Sequence, residues 1–537
     1  MTAAIRSAFS AWIFTICLAP AVAQTDPPTS WAALNAKGSA AYSRGAYAES
    51  EKLYGSALAI AQKFGDTDDR LAASLTNLGT ACRAQGHYSQ AEKLYLRAAG
   101  LREKIFGREA PELAVILNNL ATLYHAQGRY EQAEPLFRRV LGIWERAGEG
   151  QEQHIAIVFN NLAGIYRGEG RYSEAEPLYK RALAINERLL GHEDAGVAQV
   201  LSNLAVLYQN QARYDAAREL NLRALAIRER ALGPEHPDVA VSLTNLGDID
   251  RAQWRLAEAE QHYRRAMEIE EKTLGPNHPH LAETLNNLAM LYKTQGRYAE
   301  AEHFYRRALA ITEKALGPTS SRMSIELNNL GQLLAQEGRL NEAKQLYQSA
   351  ISIVEKAFGP NHPDVAPGLS NLGGLYFARH KYNEAERAYR RALEIDEAHL
   401  GKTHPMVAVN LNNLGSVCYA RRHYGEAESL FQRAIEIDES SLGRDNPTLA
   451  DPLLNLAAVY VVERRFAEAA ALYQRALPLR EKALGAESPK VIEGLETYAK
   501  ILRKLKDFAE AEKVQVRATG LRVKMALRNS GESAEAR

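Results

Sequence analysis

An asparagine followed by leucine recurs at Asn77, Asn119, Asn161, Asn203, Asn245, Asn287, Asn329, Asn371, Asn413 and Asn455, every step being 42 residues with no insertion. A carboxamide carries donors and an acceptor, so a row of them can grip the backbone of an extended peptide whatever its side chains. The same row can instead bond from one repeat to the next and set their register, and both readings stay open. Six residues after each asparagine runs a second series: Arg83, His125, Arg167, Gln209, Arg251 and Lys293, then Ala335, Phe377, Tyr419 and Val461. Guanidinium groups pair with carboxylates, and aromatic rings serve as buried anchors. The series therefore predicts a ligand that is acidic toward repeats 2–7 and hydrophobic toward repeats 9–11. A solvated basic face with incidental surface aromatics is the alternative. Three residues after each asparagine the chain varies freely, from Thr80, Thr122 and Gly164 to Val206, Asp248 and Met290.

These residues need a scaffold, and the repeat supplies it. Leu117, Leu120, Ala121 and Tyr124 fall at i, i+3, i+4 and i+7, the apolar stripe of an amphipathic helix, here helix A. Gly128-Arg129-Tyr130 ends it, and Ala133, Leu136, Phe137, Val140 and Leu141 form a second stripe, helix B. A turn such as Leu232-Gly-Pro-Glu-His-Pro then separates one unit from the next. One hairpin cannot bury both stripes, so consecutive units must stack around a shared core. Ten regular copies and two degenerate terminal ones span residues 31–527, an all-α solenoid of about twelve antiparallel helix pairs. The polar stretch 528–537 has no apolar partner and is expected to be a disordered tail.

Stacking excludes several tempting chemistries. His236, His278, His362 and His404 each precede a proline, one per repeat. Packed helices lie about 8–10 Å apart, too far for shared ligation at about 2 Å per ligand, so no metal is expected. Cys82 and Cys418 are eight units apart, beyond the roughly 7 Å Cα reach of a disulfide, and read as small apolar fillers. Both take the slot that is Tyr124, Tyr166 and Tyr208 elsewhere, and so does Asp250, which reads as a tolerated surface aspartate in preference to a flexible joint. No phosphate-cradling G-x-x-x-x-G-K-[ST], no H-E-x-x-H and no G-x-S-x-G occurs. No non-repetitive segment remains that could hold a catalytic domain, so neither catalysis nor a cofactor is expected.

The first 23 residues carry one charge, Arg6, then an apolar stretch from Phe9 to Ala19, Pro20 and Ala21-Val22-Ala23. This is the pattern of a secretory signal peptide cleaved between Ala23 and Gln24, followed by a short linker, 24–30. The apolar run is too short to span a membrane, and none comparable follows. A secreted or periplasmic protein without an integral membrane segment is the expectation. Over the full chain 66 basic residues face 65 acidic ones, so no global field draws it to nucleic acid.

The repeat, L-x-N-L-[AG]-x-L-Y-x-x-Q-G-[RK]-Y-x-E-A-E-x-L-Y-x-R-A-L, resembles the tetratricopeptide repeat, in the 42-residue variety of kinesin light chains. The resemblance covers essentially the whole chain after the signal. It implies a right-handed superhelix with helix A lining the concave face, and a non-catalytic scaffold for a protein or extended peptide. It also implies that the asparagine series, Asn77 through Asn455, contacts the ligand backbone. Similar repeats often precede a CHAT-type protease domain, so the alternative is a regulatory partner of a separate enzyme of that kind.

Overall fold

The computed structural model describes residues 30–318 and 320–535, with side chains given through residue 525. The expected signal peptide and its cleavage point lie outside the described residues. Twelve helical hairpins follow one another from Trp31, and among the described residues there is no strand. Helices A and B of repeat 3, for instance, run Pro111–Ala126 and Tyr130–Ala147. Two compact units make up the chain, one to Gly368 and one from Leu369. The division falls inside helix A of repeat 9, Val365–Ala378, beside Pro367, which has no N–H to donate. The last helix, Phe508–Glu535, continues through 528–535, where the sequence offers no apolar anchor.

Within each unit a hairpin packs against the next through its apolar stripe. Helices A also meet helices A of neighbouring repeats, whereas no pair of helices B comes together to that extent. Helix A therefore lines the short-radius, inner side. In repeat 3, Leu120, Ala121, Phe137 and Val140 are buried, in line with the periodicity. The hairpin turn takes positive φ, as at Gly128 (68°), and where glycine is missing another residue is held there, as Trp254 is at 61°.

The four histidines of the inter-repeat turns are helix caps. Nδ1 of His236 accepts the backbone N–H of Asp238 at 3.1 Å, and His278, His362 and His404 do the same two residues on, at 3.2, 3.3 and 3.1 Å. Asn446 caps the equivalent turn through Oδ1, so histidine is taking the place of the usual Asx cap. Since Nδ1 accepts, the ring proton sits on Nε2, and in His362 that atom donates to the Gln127 carbonyl, 3.1 Å away. This bond joins repeats 8 and 3 of the first unit. Stacking of Phe358 on Tyr88 at 5.5 Å joins repeats 8 and 2 beside it. Replacing His236 by Ala should cost about 1 kcal/mol, while His236→Asn should keep near wild-type stability. Thermal denaturation with hydrogen exchange over 237–252 reads both.

A second recurring device ties the outer rim. In repeat 3, Tyr124 donates to Glu92 of repeat 2 at 2.9 Å, and Arg129 lies 4.1 Å over the Tyr124 ring while pairing with the same Glu92 at 2.8 Å. The Tyr166, Tyr208 and Tyr292 sets repeat this arrangement with Glu134, Glu176 and Glu260. Asp250 breaks the pattern and is not on the surface. It is fully buried, accepting from Arg255 at 2.5 Å, Arg218 at 3.1 Å and His262 at 3.0 Å. Arg218 stands where the other repeats place the glutamate. The correction has a plain cause: the slot lies between repeats, so any residue there is enclosed. Cys82 and Cys418, in the same slot, are free and buried. Burial, with Glu51 beside it, pushes the Cys82 thiol up to about 12.

Candidate functional site

The inner side of the first unit gathers the basic series. Arg83, His125, Arg167, Gln209, Arg251 and Lys293 occupy one helix-A position in repeats 2–7. They are less exposed than a solvated face would make them. Arg167 and His125 are 3% and 5% exposed, and the other four are half-buried. Curvature is the reason, because residues on the short-radius side are crowded by the repeats on either side.

Crowding sets the charge states. Burial, and then the Arg167 guanidinium, drive His125 down to about 4, so it is neutral at pH 7. Burial, and then Arg251, lower Lys293 to about 8. The guanidinium groups meet phenols, Arg83 at Tyr95, Arg167 at Tyr179 and Arg251 at Tyr263, and the pKa values of Arg83 and Arg251 are raised. One acid stands among the inner positions of this unit. Asp248 accepts from the Tyr263 hydroxyl at 2.6 Å and lies 3.9 Å from Arg251. Burial raises its pKa against the pull of Arg251 and Tyr263.

The asparagine row divides by exposure. Asn77, Asn119, Asn161, Asn203, Asn287 and Asn329 are buried, at most 4% exposed. Several bond helix A to helix A of the preceding repeat. Asn161 Nδ2 donates to Asn118 Oδ1 at 3.1 Å, Asn203 to Asn160 at 2.8 Å and Asn329 to Asn286 at 2.9 Å. In the second unit Asn455 makes the same bond to Asn412 at 2.8 Å. A bond between amides enclosed on both sides holds the stacking register. Asn245, Asn371, Asn413 and Asn455 are half-buried, which leaves these four the larger share of open surface.

In the second unit the inner positions carry Phe377, Tyr419 and Val461, all half-buried. Phe377 packs against Tyr382 and Tyr419 against Tyr424, each pair with ring centroids 5.7 Å apart. Gly374, Ser416 and Ala458 flank them, so this side is apolar and uncharged, unlike its counterpart in the first unit. The capping histidines, the phenol partners of the arginines and the enclosure of Arg167 were missed in the sequence. The tyrosine two turns into helix B, at 95, 179 and 263, was the available signal for the second. Among the described residues no three His, Cys, Asp or Glu converge as metal ligands. No helix there is long and apolar enough to cross a membrane.

Comparison with known proteins gives the family. The Tetratricopeptide repeat family matches nine stretches, most of them overlapping, residues 29–104, 90–146, 112–188, 154–229, 196–269, 249–314, 322–398, 364–440 and 448–522. No curated protein matches the chain. Similar solved structures include BtubC (BKLC) from P. vanneervenii, 25% identical, covering 43% of this chain and 90% of its own, with a TM-score of 0.36. A putative kinesin light chain of Podosopora anserina with nearly identical TPR-like repeats is 26% identical, covering 37% of this chain and 95% of its own, with a TM-score of 0.32. With ten 42-residue hairpins in register and a degenerate hairpin at either end, this chain belongs to the tetratricopeptide repeat family.

Proposed function

We propose that the protein is a non-catalytic scaffold that binds an extended peptide, or an extended segment of a partner protein, along its helix-A faces. The observation that carries this reading is the contrast between the two inner sides. The first unit presents Arg83, His125, Arg167, Arg251 and Lys293 against a single acid, Asp248, and the second presents Phe377, Tyr419 and Val461 with no charge. Guanidinium groups held in low dielectric attract carboxylates far more strongly than surface arginines do. Acidic ligand residues thus suit the first unit and aromatic or aliphatic ones the second. The half-buried Asn245, Asn371, Asn413 and Asn455 are the members of the row suited to hold a peptide backbone. The apolar leader with Ala21-Val22-Ala23 supports export and a partner outside the cytoplasm.

The test is fluorescence anisotropy with a labelled, glutamate-rich 12-residue peptide against the protein and its Arg83→Gln, Arg167→Gln, Arg251→Gln triple variant. Glutamine removes charge without introducing a buried anion. A loss of about 100-fold in affinity is expected, about 1 kcal/mol for each charged hydrogen bond removed. Unchanged affinity in a variant with wild-type circular dichroism would overturn the electrostatic reading.

A further inference from the structure

Three repeats of the first unit pair an inner arginine with a helix-B tyrosine: Arg83 with Tyr95, Arg167 with Tyr179, and Arg251 with Tyr263. They lie 84 residues apart, so the positions correspond atom for atom along the backbone. What differs is the residue three before the arginine. In repeat 2 it is Thr80, whose Oγ1 lies 3.0 Å from Tyr95 Oη. In repeat 6 it is Asp248, whose Oδ1 accepts from Tyr263 Oη at 2.6 Å and lies 3.9 Å from Arg251 Nη2. Both cradles therefore surround an oxygen supplied by the chain itself, and in repeat 6 that oxygen belongs to a carboxylate.

In repeat 4 the corresponding residue is Gly164, which supplies no side-chain oxygen, only a backbone bond to His125. A Cβ built on it would stand 3.7 Å from Tyr179 Oη and 3.9 Å from His125 Nε2, ordinary contact distances, so a methyl-sized group fits there. His125 of repeat 3 corresponds to Gln209 of repeat 5, is 5% exposed, and its Nε2 has no side-chain hydrogen-bond partner. A buried polar atom left so is costly and calls for an explanation. The Arg167 guanidinium adjoins both rings, through its charge on His125 and a hydrogen bond with Tyr179.

We propose that repeat 4 binds a carboxylate supplied by the ligand, seated among His125, Gly164, Arg167 and Tyr179 where repeat 6 carries its own Asp248. The inference rests on the acidic-peptide reading of this inner side and gives it one fixed point. Tyr179 Oη and His125 Nε2–H donate to the carboxylate oxygens, and Arg167 balances the charge in a water-poor setting. The planar single anion of a carboxylate matches the group that Asp248 supplies in repeat 6. Its source is a glutamate or aspartate side chain, a chain terminus or a free small acid.

Proton NMR of the His125 imidazole in the full chain, identified by its loss in His125→Gln, provides the test. The probes are sodium acetate, hexaglutamate blocked at both ends, and hexaglycine with a free C-terminal carboxylate. A carboxylate beside the ring favours imidazolium, so a bound probe should raise the His125 midpoint from its value of about 4 by about one unit or more. In Gly164→Asp the midpoint should already be raised, and hexaglutamate affinity should fall about tenfold. Gly164→Ala, whose methyl meets only contact distances, should fold normally and weaken the probe response. The probe that moves the midpoint identifies the source. No movement with any probe, or undiminished hexaglutamate binding by Gly164→Asp, overturns the repeat-4 site. Equal tight binding of hexaglutamate by wild type and Gly164→Asp would do so while leaving the acidic inner-side reading intact. A response to acetate without hexaglutamate binding would do the reverse.

Discussion

The first unit should lose stability as the pH rises from about 4.5 to about 7, by about 3 kcal/mol for each of two buried glutamates. One helix-B position, recurring every 42 residues, faces helix A of the following repeat and is polar in most copies: Arg102, Asn186, Arg228, Glu270, Thr312, Asp396 and Asp438. Where the facing residue is complementary, the row is satisfied. Arg228 donates to Ser242 at 2.6 Å, and Asn410 donates to Asp396 at 2.8 Å. Glu270 has only Thr284, and Glu326, on the facing helix A, has Thr312 at 3.0 Å. Burial pushes both carboxyls up to about 7. Asp438 of the second unit, opposite Pro452, is raised to about 7 by burial alone. Because the folded values lie above those of the unfolded chain, the stabilising contribution is complete below about pH 4.5. It is lost as the pH climbs through the folded values, when an anion must be held without a cation. Glu270→Gln and Glu326→Gln keep the hydrogen bonds and remove the charge. Each should match wild type near pH 4.5 and exceed it by about 3 kcal/mol at pH 8. Urea midpoints of the full chain at the two pH values measure this. A wild-type midpoint independent of pH, with no gain in either variant, would show that these carboxyls reach water.

The hairpins were open to reading in the sequence because a helix repeats its apolar face every 3.6 residues whatever surrounds it. Leu120, Ala121 and Tyr124 on one helix and Ala133, Phe137 and Val140 on the other announce their own burial. The inner side was legible as a list of residues and not as an environment. Arg167 and Lys293 look solvated on a helical wheel, and their enclosure comes from the curvature that neighbouring repeats impose. The capping histidines escaped for another reason. The usual caps are Ser, Thr, Asp and Asn, and only the β-region backbone at His236, φ −73° and ψ 142°, turns the imidazole nitrogen toward the helix start. The row containing Glu270 could have been found, since a charge every 42 residues within a helix-B stripe that also holds Ala266 and Ile269 contradicts the stripe. Asp250 contradicted its slot in the same way, but of its partners only Arg255 lies close along the chain, while Arg218 comes from the preceding repeat.

Asp250 is where a single substitution should unsettle the first unit most. Burial alone would raise its pKa, but bonds from His262, Arg255 and Arg218 outweigh that and hold it below the ordinary aspartate range. Asp250→Ala would leave two guanidinium groups facing each other with no anion between them. The expected loss is about 3 kcal/mol, toward the low end for breaking a buried pair because both arginines are a third exposed. The residue most common at this slot should be no remedy. A tyrosine at position 250 would meet Arg218 where its counterparts meet Glu92, Glu134, Glu176 and Glu260. Asp250→Tyr by itself is thus expected to cost about as much as alanine, while Asp250→Tyr with Arg218→Glu rebuilds the rim set around Arg255 and should recover most of the loss. Chemical denaturation of the two single variants and the double gives the coupling energy directly, at about 2 kcal/mol or more. Hydrogen exchange over residues 245–263 should quicken in the singles and return to the wild-type rate in the double. Additive effects with no recovery would mean that the aspartate and Arg218 were tolerated independently, and that the departure from the repeat at this slot is not a compensated charge swap.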